Sequence, residues 1–325
     1  MRIKKNDYRP STFLLAGVNM IKIISGIDRC HKKPLHMSIN LLVVEHQLNK
    51  VIMKKTIIVA TDFSPAANNA VDYAAEMAFS IFADLIVLHV YEVPVMYAEL
   101  PPVTTESKLL SVAEYKLDEL MEQLIAKTKG RINIITELRV GGFQEQLENI
   151  CDILSPYLVI MGSQGKTATE RLFYGDNSVK AIKNLTWPII TVPRGISYAS
   201  IKRIGLACDL DDVASTIPIE EIRMLVKDLN ADLHVINIRK VELFKPETIY
   251  ESGMLQEMLM DLDPTYHFII NDNVDEALIE FAEKHRIHLL IVLPKRRGII
   301  DTLIRKSHTK EFVLHSCVPV LAIHE

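Results

Sequence analysis

Three glycines in the segment GSQGKTATERLFYGDNSVKAI, residues 162–182, stand at a fixed spacing: Gly162, two residues, Gly165, nine residues, Gly175. Glycines so placed let backbone N–H groups approach an anion with no Cβ in the way, and a helix opening at Gly175 adds unpaired donors and a positive dipole end. The chemistry this implies is the cradling of a phosphate. Lys166 and Thr167 follow the second glycine and imitate the end of a G-x-x-x-x-G-K-[ST] loop, but the leading glycine of that pattern would fall at 160, which is Ile160. Such a loop also follows an early strand and is served by a second, acidic one, so a P-loop is set aside. A carboxylate, Asp62, closes the short apolar run TIIVATD; a turn or a helix cap beside Ser64 is the plain alternative for it.

Positioning these residues requires strands and helices in alternation. Strands are expected near 56–60, 84–90, 132–139, 157–161 and 188–192, with longer helical patterns between them, which is the signature of βαβ units and a parallel sheet. Ser64 followed by Pro65 reads as an N-cap with proline at the first helical position, and AANNAVDYAAEMAFSIF follows with one apolar stripe. Residues 104–129 read as a long amphipathic helix stopped by Gly130. Its Leu and Met stripe is core packing, and runs such as LIVLHV are apolar on both faces, as in a sheet covered on each side.

The chain repeats itself. KTIIVATDFSP (55–65) resembles KRIGLACDLDD (202–212), ADLIVLHVY (83–91) resembles ADLHVINIR (231–239), YLVIMGSQG (157–165) resembles HLLIVLPKR (288–296), and WPIITVP (187–193) matches VPVLAIH (318–324). Four segments in the same order imply a tandem duplication joined near 193–202. The expected organisation is a first domain over 53–195 and a second over 202–325. Basic MRIKK precedes an apolar stretch, Phe13 to Ile27, that Asn19 and Lys22 interrupt, so it reads as neither a clean signal peptide nor a membrane span. Residues 1–52 are expected to be an upstream extension of the reading frame or a disordered tail.

Composition narrows the function classes. A length of 325 residues suits about two domains. The net charge of −4, with no basic block, speaks against a nucleic-acid surface. Cys30, Cys151, Cys208 and Cys317 lie far apart and form no CxxC pair, so they read as a reduced, intracellular complement, and a cytoplasmic location is expected. There is no HExxH; His285 and His288 fall at a helix end and a strand start, where their side chains are expected to diverge, and no metal site is expected. His89 is expected to satisfy a hydrogen bond in the sheet.

IIVATDFS, LIVLHV, the late G-x-x-G-x9-G pattern and the closing WPIITV together resemble the universal stress protein family, over residues 54–325, although only the first half keeps the glycines. The resemblance implies a Rossmann-like α/β fold: two tandem doubly wound domains, each a five-stranded parallel sheet of order 3-2-1-4-5 with helices on both faces. In many members the glycine loop binds ATP. Ligands of open α/β sheets sit beyond the carboxyl ends of strands where the order reverses. For this order that point lies between strands 1 and 4, whose ends are Ala60-Thr61-Asp62 and Met161-Gly162. Asp62 would meet the ribose or a bound Mg²⁺, and Val90 would hold adenine through its backbone. The implied nucleotide site is thus Ala60, Thr61, Asp62, Val90, Gly162, Gly165, Lys166, Gly175, Asp176, Asn177 and Ser178, with ATP or another adenine nucleotide as ligand, with or without Mg²⁺. No catalytic residue is expected.

Asp176 departs from the family, whose ATP-binding members place Ser or Thr after the third glycine. A carboxylate ~4 Å from a phosphate, at an effective dielectric of ~20, is repelled by roughly 4 kcal/mol before screening. Mg²⁺ or Lys166 could offset this, Ser178 could supply the hydroxyl one helical turn later, or Asp176 could cap a helix over 177–184. In the second half Pro294 and Arg297 replace the paired glycines and Lys306-Ser307 stands at the third, so that half is expected to have lost the site. Its Lys295, Arg296, Arg297, Arg305 and Lys306 read as a solvated basic face, and its Asp209, Asp211 and Asp212 as turn and cap residues. The reading is a nucleotide-binding regulatory protein of the stress response, with an unidentified protein partner, no membrane, the two halves paired about a pseudo-twofold axis, and a further homodimer left open. A slow ATPase and a ligand-free scaffold are the alternatives; Glu170 and Asp176 are the only acids near the loop and form no catalytic constellation.

Overall fold

The computed structural model describes residues 55–92, 102–163, 178, 180–182, 185–239, 246–294 and 316–324. The expected tail of residues 1–52 and the basic cluster from Lys295 to Lys306 lie outside them. The first five strands are β1 (Thr56–Ala60), β2 (Asp84–Tyr91), β3 (Ile134–Val140), β4 (Leu158–Gly162) and β5 (Ile189–Val192). Helices α1 (Pro65–Ile81), α2 (Pro102–Thr128) and α3 (Phe143–Leu154) join the first four. Then follow β6 (Arg203–Ala207), α4 (Val213–Thr216), α5 (Ile219–Leu229), β7 (Asp232–Arg239), α6 (Pro246–Met258), β8 (Thr265–Ile270), α7 (Val274–Lys284), β9 (Leu289–Val292) and β10 (Val320–Ala322).

Local chemistry sets the helix ends. At α1 the Ser64 hydroxyl accepts the Ala67 N–H at 3.2 Å and Pro65 occupies the first turn, as the sequence implied. The helix stops at Phe82, in the left-handed region with φ 55°, where its N–H returns to the Ala78 carbonyl. Along its buried stripe lie Ala67, Ala70, Ala74, Ala75 and Ala78, small residues that bring the helix axis close to the sheet.

The order of strands is β3-β2-β1-β4-β5-β10-β9-β6-β7-β8, one ten-stranded sheet rather than two separate sheets of five. Every adjacent pair is parallel except β5 with β10, which run antiparallel with Ile190 opposite Leu321. The cause lies at the sheet edges. β5 and β10 are short and buried along their whole length, and each would otherwise leave a row of backbone groups unpaired. The Thr191 hydroxyl adds a bond to the Val320 carbonyl at 3.3 Å, and buried His324 donates from Nε2 to the Ile182 carbonyl at 2.5 Å. Away from the sheet, Asp228 of α5 accepts the Tyr157 hydroxyl at 2.9 Å and pairs with Lys55 at 2.5 Å.

The core lies on both sheet faces. Ile57 and Val59 of β1 belong to one buried cluster, Ile58 and Ala60 to the other, as alternation along a doubly covered strand requires. Each of the larger side chains, Ile57, Ile58 and Val59, contributes about 1.5–3 kcal/mol of burial.

Candidate functional site

β1 has β2 on one side and β4 on the other, so the chain reverses its direction across the sheet at this strand. Beyond its carboxyl end the backbone turns sharply. Thr61 extends the ladder by one bond, its N–H reaching the Leu88 carbonyl at 2.9 Å. The Thr61 hydroxyl then accepts the Phe63 N–H at 3.0 Å, and an Asp62 carboxylate oxygen accepts the Ser64 N–H at 2.9 Å. These two side chains hold Phe63 at φ 64°, a conformation that costs a non-glycine residue energy and is sustained by the bonds around it. Thr61 is buried; Asp62 is exposed at the rim, so one of its oxygens serves the turn while the carboxylate stays open to solvent.

His89 of β2 lies alongside. Its Nδ1 is 2.8 Å from the Thr61 carbonyl, and since a carbonyl can only accept, Nδ1 carries the proton. Burial lowers its pKa from the ordinary 6.5; the bond to Thr61 and the Asp62 carboxylate pull the other way, and Lys116 adds to the lowering. The imidazole lies tilted by 40° against the Phe63 ring, centroids 4.5 Å apart, and the Lys116 ammonium of α2 lies 5.2 Å from that ring's centroid. Phe63 and Lys116 were not legible as site neighbours in the sequence: nothing local ties a lysine on a long helix to a phenylalanine more than fifty residues earlier.

Val90 follows. Its side chain packs against the second core cluster, and it stands opposite Arg139 in the β2–β3 ladder. Backbone groups in a strand alternate sides. The Leu88 carbonyl points toward β1 and the Tyr91 carbonyl toward β3, where it accepts the Gly141 N–H at 3.1 Å. The Val90 N–H and C=O therefore point the same way as those of Leu88, past the place where β1 has turned away.

On the other side of the crevice, Gly162 ends β4. A Cβ there would lie 2.6 Å from the Ala66 carbonyl oxygen and 2.8 Å from its carbon. The absence of a side chain is thus demanded by the close approach of α1 to β4, a reason distinct from the anion access that motivated the residue in the sequence. Ser178, which the sequence offered as a source of a hydroxyl for the phosphate, has a partner within the protein. Ser178 is buried and its Oγ donates to the Gly162 carbonyl at 3.0 Å, so the hydroxyl ties the segment after the third glycine back to the strand before the first. Ala60, Thr61, Asp62, Val90, Gly162 and Ser178 are brought together at this end of the sheet; Gly165, Lys166, Gly175, Asp176 and Asn177 lie outside the described residues.

The strand end of β6 repeats this geometry. The Leu210 N–H approaches the Cys208 sulfur at 3.3 Å, Asp209 accepts the Asp211 N–H at 3.3 Å, and Leu210 sits at φ 54°. Asn237 Nδ2 donates to the Cys208 carbonyl at 2.8 Å, the place that His89 takes beside Thr61. Asp209 thus has the turn role expected of it. Asp212 does not cap: it stands at the N-cap of α4 without a side-chain bond, and Glu251 of α6 accepts the Val213 N–H at 2.8 Å instead. His285 and His288 diverge as expected, the first closing α7 and the second accepting the Arg203 N–H at 3.2 Å. Among the described residues no group of three or more His, Cys, Asp or Glu is arranged to hold a metal ion, and no helix is long and apolar enough to cross a membrane.

Residues 53–193 match the model of the Universal stress protein family. A universal stress protein of Methanocaldococcus jannaschii is 28% identical over 161 residues, which are 44% of this chain and 97% of that one. One from Synechocystis sp. is 22% identical over 293 residues, 82% of this chain and 99% of its own length. Among solved structures, a universal stress protein from Archaeoglobus fulgidus aligns with 84% of this chain and 99% of its own at a TM-score of 0.64 and 15% identity, a likeness of fold. The family-model match covers residues 53–193, less than half of the 325-residue chain, and over them the chain is similar to the universal stress protein family.

Proposed function

We propose that the crevice between the carboxyl ends of β1 and β4 binds an adenine nucleotide, and that the protein works as a nucleotide-responsive regulator rather than by turnover. One observation carries the reading: the backbone of Val90 points past the end of β1, beside the Asp62 rim and across from Gly162. A strand residue with N–H and C=O directed the same way offers the paired donor and acceptor that the edge of a purine needs, while the exposed Asp62 carboxylate suits ribose hydroxyls or Mg²⁺. The glycine spacing after β4 supplies the phosphate end.

The nucleotide's charge state is the finer part of the proposal. Asp176 follows the third glycine in the sequence, and a carboxylate there would repel a terminal phosphate, so ADP or AMP, or ATP with Mg²⁺, is favoured over free ATP. Titration calorimetry with ATP, ADP and AMP, with and without Mg²⁺, tests this on the parent chain and on Asp176→Ser. The substitution is expected to strengthen Mg²⁺-free ATP binding and leave AMP binding unchanged. Equal ATP affinity in the two proteins would remove the charge argument, and no binding to either would leave a scaffold without a ligand. Phosphate release over hours in the presence of ATP would make the protein a slow ATPase instead.

A further inference from the structure

The ten-stranded sheet ends on β3 at one side and on β8 at the other, and the two edges differ in chemistry. The Asn271 N–H reaches the Arg239 carbonyl at 2.8 Å, so the backbone groups of His267 and Ile269 also face β7. Those of Tyr266, Phe268 and Ile270 point outward, where no described strand pairs with them. β3 carries Glu137 and Arg139, an ion pair at 3.1 Å, and such charges guard a sheet edge against pairing. β8 reads TYHFII, without carboxylate, ammonium or guanidinium, and Phe268 and Ile270 are 48% and 55% exposed. Helix length accounts for the difference. Leu138 and Phe268 stand at equivalent positions, opposite His89 and Asn237. Leu138 is packed against the core under α2, a helix of 27 residues, whereas α6 has 13 and leaves Phe268 open. Ile249 of α6, itself exposed, lies about 200° around the helix from Glu251, which bonds back to α4. It therefore extends the apolar surface on the flank turned toward this edge.

We propose that the outer edge of β8 is a homodimer interface, on which β8 of a second copy pairs antiparallel about a twofold axis at Phe268. Three features select a second copy as the occupant. First, the outward groups are spaced for self-pairing. A twofold at Phe268 sets Tyr266 against Ile270 of the partner subunit and Phe268 against the partner's Phe268, and all three positions then exchange both backbone bonds. Second, a twofold brings like charges near one another, and β8 has none to repel. The exposed rings and aliphatic chains instead meet as cross-strand apolar pairs on one face of the sheet. Third, the chain already joins its own halves in this manner, β5 and β10 pairing antiparallel edge to edge. A β8–β8 contact is self-complementary and closes at two copies, whereas β8 on β3 of another copy would leave a free edge at each end and keep growing. The proposal does not depend on the nucleotide reading of the first half.

Sedimentation equilibrium of the full chain from about 1 to about 100 μM tests it, and a monomer–dimer equilibrium without larger species is expected. Ile270→Pro removes only an outward N–H, which no bond to β7 uses, and proline is tolerated at such edge positions. Phe268→Lys sets two ammonium groups face to face across the axis. Each variant is expected to raise the dimer dissociation constant about ten-fold or more, while Ile135→Lys on the opposite edge leaves it unchanged. Urea unfolding shows whether each variant is folded as the parent is. Hydrogen exchange of the parent, followed by mass spectrometry, needs no variant: the peptide spanning residues 265–270 is expected to exchange more slowly as protein concentration rises. A parent that stays monomeric at the highest concentration, a dimer that both folded variants form as well as the parent, or growth beyond two copies would overturn the proposal. So would protection of 265–270 in the monomer, which would put another segment of the same chain on this edge.

Discussion

The hydroxyl of Ser178 donates to the carbonyl of Gly162 at 3.0 Å, joining the two ends of the glycine segment across sixteen positions of sequence. Replacing Ser178 with alanine leaves that carbonyl without its donor and is expected to cost about 1 kcal/mol in the urea unfolding free energy. If the proposed nucleotide site is right, the same variant should weaken ADP binding in calorimetry, because the glycine segment assigned to the phosphates loses its tether to β4. Unchanged ADP affinity together with the stability loss would confine the bond to a structural role.

Asp228 joins the two halves of the chain away from the sheet. It accepts the Tyr157 hydroxyl, pairs with Lys55, and Lys55 in turn lies 5.4 Å from the centroid of the Tyr157 ring. Burial, with the Asp228 carboxylate beside it, pushes the Tyr157 phenol well above its ordinary pKa, so the hydroxyl remains a donor at all working pH values. Asp228→Ala is expected to lower stability by about 1–3 kcal/mol and Tyr157→Phe by about 0.5–1.5 kcal/mol. Because they share a bond, the double variant should lose less than the sum; strict additivity in urea unfolding would show that the halves do not rely on this contact.

Stability should fall in mild acid through a histidine pair that the sequence did not single out. His234 Nδ1 and His267 Nε2 lie 3.0 Å apart on neighbouring strands, a bond that needs one donor and one acceptor and that two imidazolium rings cannot form. His285, stacked on Phe281, faces His267, and Arg203 and Asp232 flank His234. Burial comes first in lowering both pKa values from 6.5; Arg203 and His285 add to it at His234 against Asp232, and His234 and His285 add to it at His267. The sign follows: above pH 6.5 neither state is protonated and stability is full, and as pH falls through that value the unfolded chain takes up protons that the folded chain resists. The urea midpoint is expected to be lower at about pH 5 than at about pH 7.5, with a smaller drop in His267→Phe. An equal drop in that variant would place the acid sensitivity elsewhere.

Much of this was readable in one dimension. The first strands and the Ser64-Pro65 start of α1 follow from short-range rules: apolar runs, a capping hydroxyl, a proline where no donor is missed. Even so, Gly162 answers to a second demand that the sequence did not show. Its spacing to Gly165 suggested an anion, whereas the Ala66 carbonyl that forbids a Cβ there is nearly a hundred residues away and leaves no local mark. Asp212 looked like a cap because aspartate favours caps, but at the N-cap of α4 its side chain makes no capping bond, and the first N–H of that helix goes to Glu251, delivered from another helix.

By itself, then, the sequence determined the alternation of strands and helices and the capped start of α1, since hydrophobic period and turn chemistry act between neighbours. Tertiary structure alone decided that the strands fuse into one ten-stranded sheet through β5 and β10, that Ser178 is spent on Gly162, and that two histidines share a proton between β7 and β8. Each depends on groups far apart in the chain meeting at hydrogen-bond or packing distance, and such meetings are set by the closure of the whole fold, not by any residue's neighbours.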